Sequence, residues 1–155
     1  MPRIERELYH QAVRKILDKV RYQYRTIGIG KILINKDRRK LYINVAGKNL
    51  PYFDRHGKEA FPWETYIQPE RLSRIEREAD KYDAESWIAF CYAILKDEYK
   101  NNFNTIVNLN GIDFGVKLIK TTEFRKYMKP RSPSWSVVDL PRDKVTLITC
   151  DIETI

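Results

Sequence analysis

Sulfur and imidazole are scarce in this sequence: two cysteines, Cys91 and Cys150, and two histidines, His10 and His56, occur among 155 residues. The cysteines stand far apart and form no metal-ligand spacing. Two thiols in a chain without an export signal read as reduced and buried, in a cytoplasmic protein. No carboxylate set accompanies either histidine, so a hydrolytic zinc site is not expected. No apolar run approaches the ~18 residues that a membrane span needs. The start, Arg3-Ile4-Glu5-Arg6-Glu7, is charged where an export signal requires an apolar stretch. There is no glycine-rich loop followed by Lys-Ser or Lys-Thr, which excludes a P-loop nucleotide site, and no Gly-x-Ser-x-Gly elbow. Repeats and low-complexity segments are lacking as well.

What is present is a well-mixed chain, 43% apolar and 32% charged. That composition excludes a disordered tail. The length fits one domain, residues 1–155, able to bury roughly 68–70% of its unfolded surface. The net charge of +8 is unevenly divided. Residues 1–48 hold 13 basic and 4 acidic side chains, a net of +9, whereas residues 49–155 hold 16 and 17, a net of −1. A fold that sets the first third on one face has a cationic surface, and phosphate polyanions are the commonest partner of such a surface. The same charge also suits the ion-pair networks of a heat-adapted protein.

Ile4, Leu8, Ala12, Ile16 and Val20, widened by Val13 and Leu17, form the apolar stripe of a first helix. Residues 22–45 are β-branched and aromatic, with Gly28 and Gly30 inside and a polar turn at 35–39, and read as strands joined by a tight hairpin. Glycine in a strand marks a bulge, weak pairing or a close approach. Residues 46–65 read as irregular, mixing Lys48, Arg55, His56 and Lys58 with Tyr52, Phe53, Phe61 and Trp63. Such loops stack on bases, or simply cap a core with their aromatics. Pro69 opens a second helix with Leu72, Ile75, Ala79 and Tyr82 inward, leaving Arg71, Arg74 and Arg77 on a solvated outer face. Residues 86–95 are nearly all apolar, the mark of a central strand covered on both faces, with Trp87 and Phe90 in the core. Residues 112–119 read as a half-exposed strand, Thr122 as the cap of a helix over 123–128, and Asp139 as the cap of a last helix reaching Ile148. Pro130 and Pro133 break the chain, Trp135 faces the core or a partner, and 101–104 reads as a turn. The order gives an α/β protein, a mixed central sheet flanked by helices.

Five segments occur in a telling order: Glu5-Arg6-Glu7-Leu8 with Arg25 after it; Lys31-Ile32-Leu33-Ile34; Tyr42-Ile43-Asn44-Val45-Ala46; Tyr66-Ile67-Gln68-Pro69-Glu70-Arg71; and Trp87-Ile88-Ala89-Phe90. Together they resemble the archaeal Holliday junction resolvases of the PD-(D/E)xK nuclease superfamily, over roughly residues 3–95, with a fainter likeness in 117–128. The resemblance implies a restriction-endonuclease-like fold, a homodimer, and DNA as partner, including four-way junctions.

The departures from that pattern carry the functional reading. Where the resolvases place an Asp, a Glu and a Lys, this chain has Lys31, Asn44 and Ala46, and of the acidic set only Glu5 remains. Paired carboxylates hold Mg²⁺, which takes hard anionic oxygens, and the metal with its water then delivers the nucleophile. An ammonium at ~4 Å from another unit positive charge is repelled by about 4 kcal/mol at an effective dielectric of 20, and a dication doubles that. The resemblance with these changes implies a DNA-binding protein without catalytic residues, metal or cofactor. Lys31 and Lys48 replace the cation, with Arg25, Arg38 and Arg39 on the same side, and Arg55 and Lys58 in a loop reaching over the DNA. Two other readings stand beside it. One is a nuclease using Mg²⁺ with relocated ligands, Glu5, Asp37 and Asp54, and Lys48 as its lysine. The other is a scaffold that forms a heterodimer with an active resolvase or another recombination protein. Glu5 also has a plain role, since a carboxylate in the first turn of a helix is favoured by the macrodipole.

Overall fold

A computed structural model describes residues 3–132 and 135–155. Helix α1 (Arg6–Lys19) buries Tyr9, Ala12, Val13, Ile16 and Leu17 on one face, with Glu7 in its first turn and Lys19 in its last complementing the dipole. It closes where Arg21 adopts a left-handed backbone (φ 62°) and Tyr22 N–H reaches back to Leu17 O at 3.1 Å, satisfying an otherwise unpaired carbonyl. Strands β1 (Gln23–Gly28), β2 (Lys31–Lys36) and β3 (Arg39–Leu50) follow as two successive hairpins. The first carries an irregularity between Thr26 and Gly28 and turns through Gly30 (φ 73°). The second turns through Asp37 and Arg38, both at positive φ, the twist that matches the flanking strands.

A small hairpin of β4 (Tyr52–Phe53) and β5 (Glu59–Phe61) leads to α2 (Pro69–Lys81), then β6 (Glu85–Ile94), β7 (Val107–Leu109), β8 (Ile112–Lys120) and α3 (Thr121–Tyr127). The chain ends with β9 (Lys129–Ser132), β10 (Trp135–Asp139) and the one-turn α4 (Val145–Ile148). The described residues build a six-stranded sheet in the order β1-β2-β3-β6-β8-β7, in which only the central β3–β6 pair is parallel. One face packs Leu41, Ile43, Val45, Ala89, Cys91 and Ala93 against α1. The other packs Tyr42, Ala46, Leu50, Ile88, Phe90 and Tyr92 against Leu72, Ile75 and Ala79 of α2 and Phe124 of α3. Trp87 and Phe90 are buried, as expected from the apolar run.

Several expectations need correction. Residues 46–50 are not irregular: β3 continues to Leu50 because it pairs residue by residue with β6 as far as Leu50 opposite Ile94. β8 is not half-exposed, since it lies between β6 and β7 and both its faces are covered. Its Lys117 is buried and pairs with Asp151 at 3.0 Å. Thr122 caps nothing, because α3 already begins at the buried Thr121. Asp139 ends β10 rather than capping a helix, and the last helix is a single turn. The 101–104 turn is the end of a 3₁₀ segment, Asp97–Asn102. Cys91 is buried but Cys150 only half so. Pro133 and the side chain of Trp135 lie outside the described residues.

Candidate nucleic-acid interface

Side chains alternate along a strand, so Asn44, Ala46 and Lys48 share the face of β3 that looks toward α2. Lys31 lies directly opposite Asn44 in the β2–β3 ladder. Four positions singled out from the sequence are therefore neighbours on one face.

The residue that organises them is one the sequence reading left in solvent. Arg71, in the first turn of α2, is half-buried. Its Nη2 donates to Asn44 Oδ1 at 2.7 Å and to Val45 O at 2.9 Å, and its Nε donates to Asn44 Oδ1 at 3.2 Å. Burial first, then the neighbouring Arg74 and Arg6 guanidiniums, lower the pKa of Arg71, so three arginines crowd one place. Arginine nonetheless stays protonated in proteins. Among the described residues, neither Arg6 nor Arg74 makes a salt bridge, although the charge of Arg74 acts on the Glu78 carboxylate one turn along α2.

Lys31 is held differently. Its Nζ lies 3.2 Å from Glu78 Oε1, and Tyr42 donates to the other oxygen of the same carboxylate. Partial burial opposes the charge on Glu78, but the hydrogen bonds from Tyr42 and Lys31 outweigh it and hold the carboxyl below its usual range. The Lys31 amine is thus tied to α2 while remaining more than one-third exposed.

Two adjoining hollows follow from this packing. A cleft of about 400 Å³ is lined by Arg6, Lys48, Arg71, Ile29 and Tyr66, among others. A recess of about 220 Å³ continues past Asn44 to Lys31 and Arg74. Arg6 and Arg71 line both. Gly47 forms part of the cleft wall because the ring of Tyr9 passes so close that a Cβ would meet it at 2.3 Å.

Lys48 sits at the inner end, only 8% exposed. Its Nζ donates to Tyr66 O at 2.8 Å and lies 3.4 Å above the centre of the Tyr66 ring. Burial pushes its pKa down to about 7, against the opposing pull of the Glu64 carboxylate. Glu64 is itself buried and paired with Arg131.

The remaining sequence candidates do not join this group. Arg38 and Arg39 lie at the other end of β3, roughly 30 Å from Lys48 along the strand. Arg39 is bound through Nε and Nη2 to the Glu85 carboxylate at 2.7 Å each. Arg25 lies exposed on β1, its guanidinium 5.9 Å from the Tyr82 ring. Arg55 and Lys58 are exposed in the β4–β5 turn and line neither hollow. Glu5 precedes α1 and is exposed, while its neighbours Ile4 and Arg6 line the cleft. The relocated ligand set does not gather either. Asp37 is in the far hairpin turn, and Asp54 accepts the backbone N–H groups of His56 and Lys58 within its own turn. Among the described residues, no three His, Cys, Asp or Glu side chains come together as a metal-binding group. The sequence did carry a signal for Arg71 and Arg74: they stand three apart on the α2 surface beside the buried Leu72–Ile75–Ala79 stripe.

No family model matches this sequence, and no curated protein is significantly similar to it. Among solved structures, the chain is similar to the 1.6 Å structure of Hjc, a Holliday junction resolvase from the archaeal hyperthermophile Archaeoglobus fulgidus, with a TM-score of 0.53 and 11% sequence identity. The match covers 96% of this chain and 93% of that one. The fold is that of a Holliday junction resolvase. The α/β class and the mixed sheet flanked by helices, expected from the sequence, are therefore established. In this resolvase-like fold the cationic cleft lies where β2, β3, α1 and α2 converge.

Proposed function

We propose that this protein binds DNA, branched or duplex, through the cleft between α1, β3 and α2, and holds it without cutting. The observation that carries the reading is the Arg71 guanidinium on Asn44, within a cluster that also contains Arg6, Arg74, Lys31 and Lys48. Guanidiniums match phosphate geometry with paired N–H donors. The fold likeness to a Holliday junction resolvase and the +9 charge of residues 1–48 support the same partner.

The donor chemistry does not fit Mg²⁺. Asn44 Oδ1 already accepts two N–H groups from Arg71, and Val45 O accepts a third bond from it. The Glu78 carboxylate beside this ladder is engaged by Lys31 and Tyr42. A hard dication needs anionic oxygens in near-octahedral array, and here it meets cations. The arrangement suits a phosphate diester directly. A homodimer, as in the resolvases this chain resembles, would present two such clefts.

Gel shifts of a labelled four-way junction and a duplex at rising salt test this. Four phosphate contacts, from Arg6, Lys31, Arg71 and Arg74, give a slope of about −3 to −4 in log affinity against log salt. Arg71→Glu weakens binding to both DNAs. The junction stays intact with Mg²⁺ or Mn²⁺. Cleavage products that vanish in Lys48→Ala would overturn the non-cutting reading. Absence of any DNA binding, with formation of a heterodimer on sizing beside an active resolvase, would favour the scaffold.

A further inference from the structure

The cleft does not hold all the unpaired positive charge on the α2 side of the sheet. Directly opposite residues in a ladder face the same side, and two such rows carry cations beyond the cleft. Arg25 stands opposite Leu33, which stands opposite Tyr42; Gln23 stands opposite Asn35, which stands opposite Lys40. Leu33 and Tyr42 belong to the core beneath α2, so Arg25 and Lys40 lie on that same face. β1 is an edge strand, and Gln23 and Arg25 are exposed on it. Arg71, Arg74, Glu78 and Lys81 recur at spacings of three and four along one flank of α2. The hollows between these elements lie end to end. The recess with Arg74 meets, at Lys31, a hollow of about 190 Å³ that reaches Lys81 and Tyr82. The Arg25 guanidinium lies 5.9 Å from the centre of the Tyr82 ring, and the Tyr82 carbonyl accepts from Lys40 Nζ at 3.4 Å. Lys40 in turn lines a hollow of about 490 Å³ with Arg38 and Lys36.

Arg25, Arg38, Lys40 and Lys81 are all exposed, and among the described residues none of them makes a salt bridge. Two carboxylates, Asp37 and Asp83, share the last hollow, so cations still outnumber anions along the strip. None of the exposed large hydrophobic side chains, Ile29, Tyr52, Tyr66 and Leu147, lines the last two hollows. Protein interfaces carry an apolar centre, so a polyanion backbone fits this surface better than another protein does. From Asn44 to Lys40 the strip runs roughly 13 Å, about the axial rise of four base pairs. Resting on the DNA-binding reading above, we propose that the strip of Lys81, Arg25, Lys40 and Arg38 carries the phosphate backbone of a duplex arm leaving the cleft. The ligand there is sugar-phosphate backbone, which adds affinity without sequence preference. The substrate class is then DNA with a helical arm long enough to lie across both cleft and strip.

The test measures salt slopes on two DNA hairpins. One has a stem of about five base pairs, too short to span cleft and strip together, and the other a stem of about twenty. On the short stem the cleft contacts act alone, with a slope of about −3 to −4 in log affinity against log salt. On the long stem the strip contacts steepen it by about 3. Arg25→Gln combined with Lys40→Gln removes about 1.8 of that difference, at 0.9 per phosphate contact, and leaves the short stem unchanged. Lys126→Gln combined with Lys144→Gln, at exposed positions outside the strip, removes the same charge and changes neither slope. If the strip variant fails to fold, Arg38→Asn, which tolerates the positive φ of that turn, decides by a loss of about 0.9 on the long stem. Equal wild-type slopes on the two stems, or a strip variant that behaves as the control does, overturns the strip while leaving the cleft intact. No salt-dependent binding of the wild type to either stem removes both.

Discussion

Arg71 and Asn44 meet side chain to side chain across the junction of α2 and β3, the guanidinium donating twice to one amide oxygen at 2.7 and 3.2 Å. This fixes a cation on the strand ladder shared by Asn44 and Lys31. Arg71→Met keeps much of the apolar stem and removes the donors. Loss of the bonds to Asn44 and Val45 costs about 1–3 kcal/mol, because buried acceptors lose their partner. The salt slope of DNA binding becomes shallower by about 0.9. Urea unfolding and salt-dependent gel shifts read the two effects separately, and an unchanged slope would remove Arg71 from the phosphate contacts.

Lys48 makes folding depend on pH. Its pKa falls from 10.5 in the free side chain to about 7 in the fold, chiefly through burial. Between those values the unfolded chain binds more protons than the folded one, so stability rises as pH increases above about 7. Urea unfolding at pH 6.5 and 8.5 shows this rise in the wild type and a flatter profile in Lys48→Met. DNA in the cleft favours the charged amine, so binding at pH 8 takes up protons. Calorimetry in buffers of different ionisation enthalpy measures that uptake.

His10 acts in the acidic direction. It is buried and accepts Gly30 N–H at Nδ1, which requires the neutral ring. Burial lowers its pKa below the ordinary 6.5, against the pull of Glu7. Its contribution is complete above pH 6.5 and is lost as pH falls through the depressed folded value. Protonation frees the turn that carries Ile29. The protection of the Gly30 amide, the slowing of its exchange relative to an unstructured amide at the same pH, therefore falls on acidification, and in His10→Phe it is low already at pH 7.5.

Gly47 is required by close approach rather than by its backbone angles. A Cβ would lie 2.3–2.5 Å from three ring atoms of Tyr9, whose hydroxyl is anchored on Asn49 at 3.1 Å. Gly47→Ala destabilises by about 1–3 kcal/mol, the usual cost of overpacking. Combined with Tyr9→Leu, its effect shrinks, and a double-mutant cycle in urea shows the coupling.

The elements were legible where one period governed many residues. The stripe from Leu8 to Leu17 and the apolar run of 86–95 gave α1 and β6 directly. Failures came where partners decided. Gly47, Lys48 and Asn49 interrupt the apolar pattern of β3, yet its pairing with β6 keeps them in the strand. Lys117 reads as exposed until Asp151, from the far end of the chain, is found beside it. Arg39 looks free for DNA until its fork is seen on Glu85.

By itself, the sequence determined the α/β class and the cationic first third, since local periodicity and charge are read residue by residue; Lys31, Asn44 and Ala46 were picked out by the family resemblance, and it was strand pairing with β6 that carried Ala46 and Lys48 into β3 beside them. Only the tertiary structure decided which cations meet. Packing α2 on the sheet brings Arg71 to Asn44, 27 residues away in sequence, and moves Lys31 onto Glu78. Side-chain pairing of this kind depends on the distance and dielectric between elements distant along the chain, which no sequence pattern encodes.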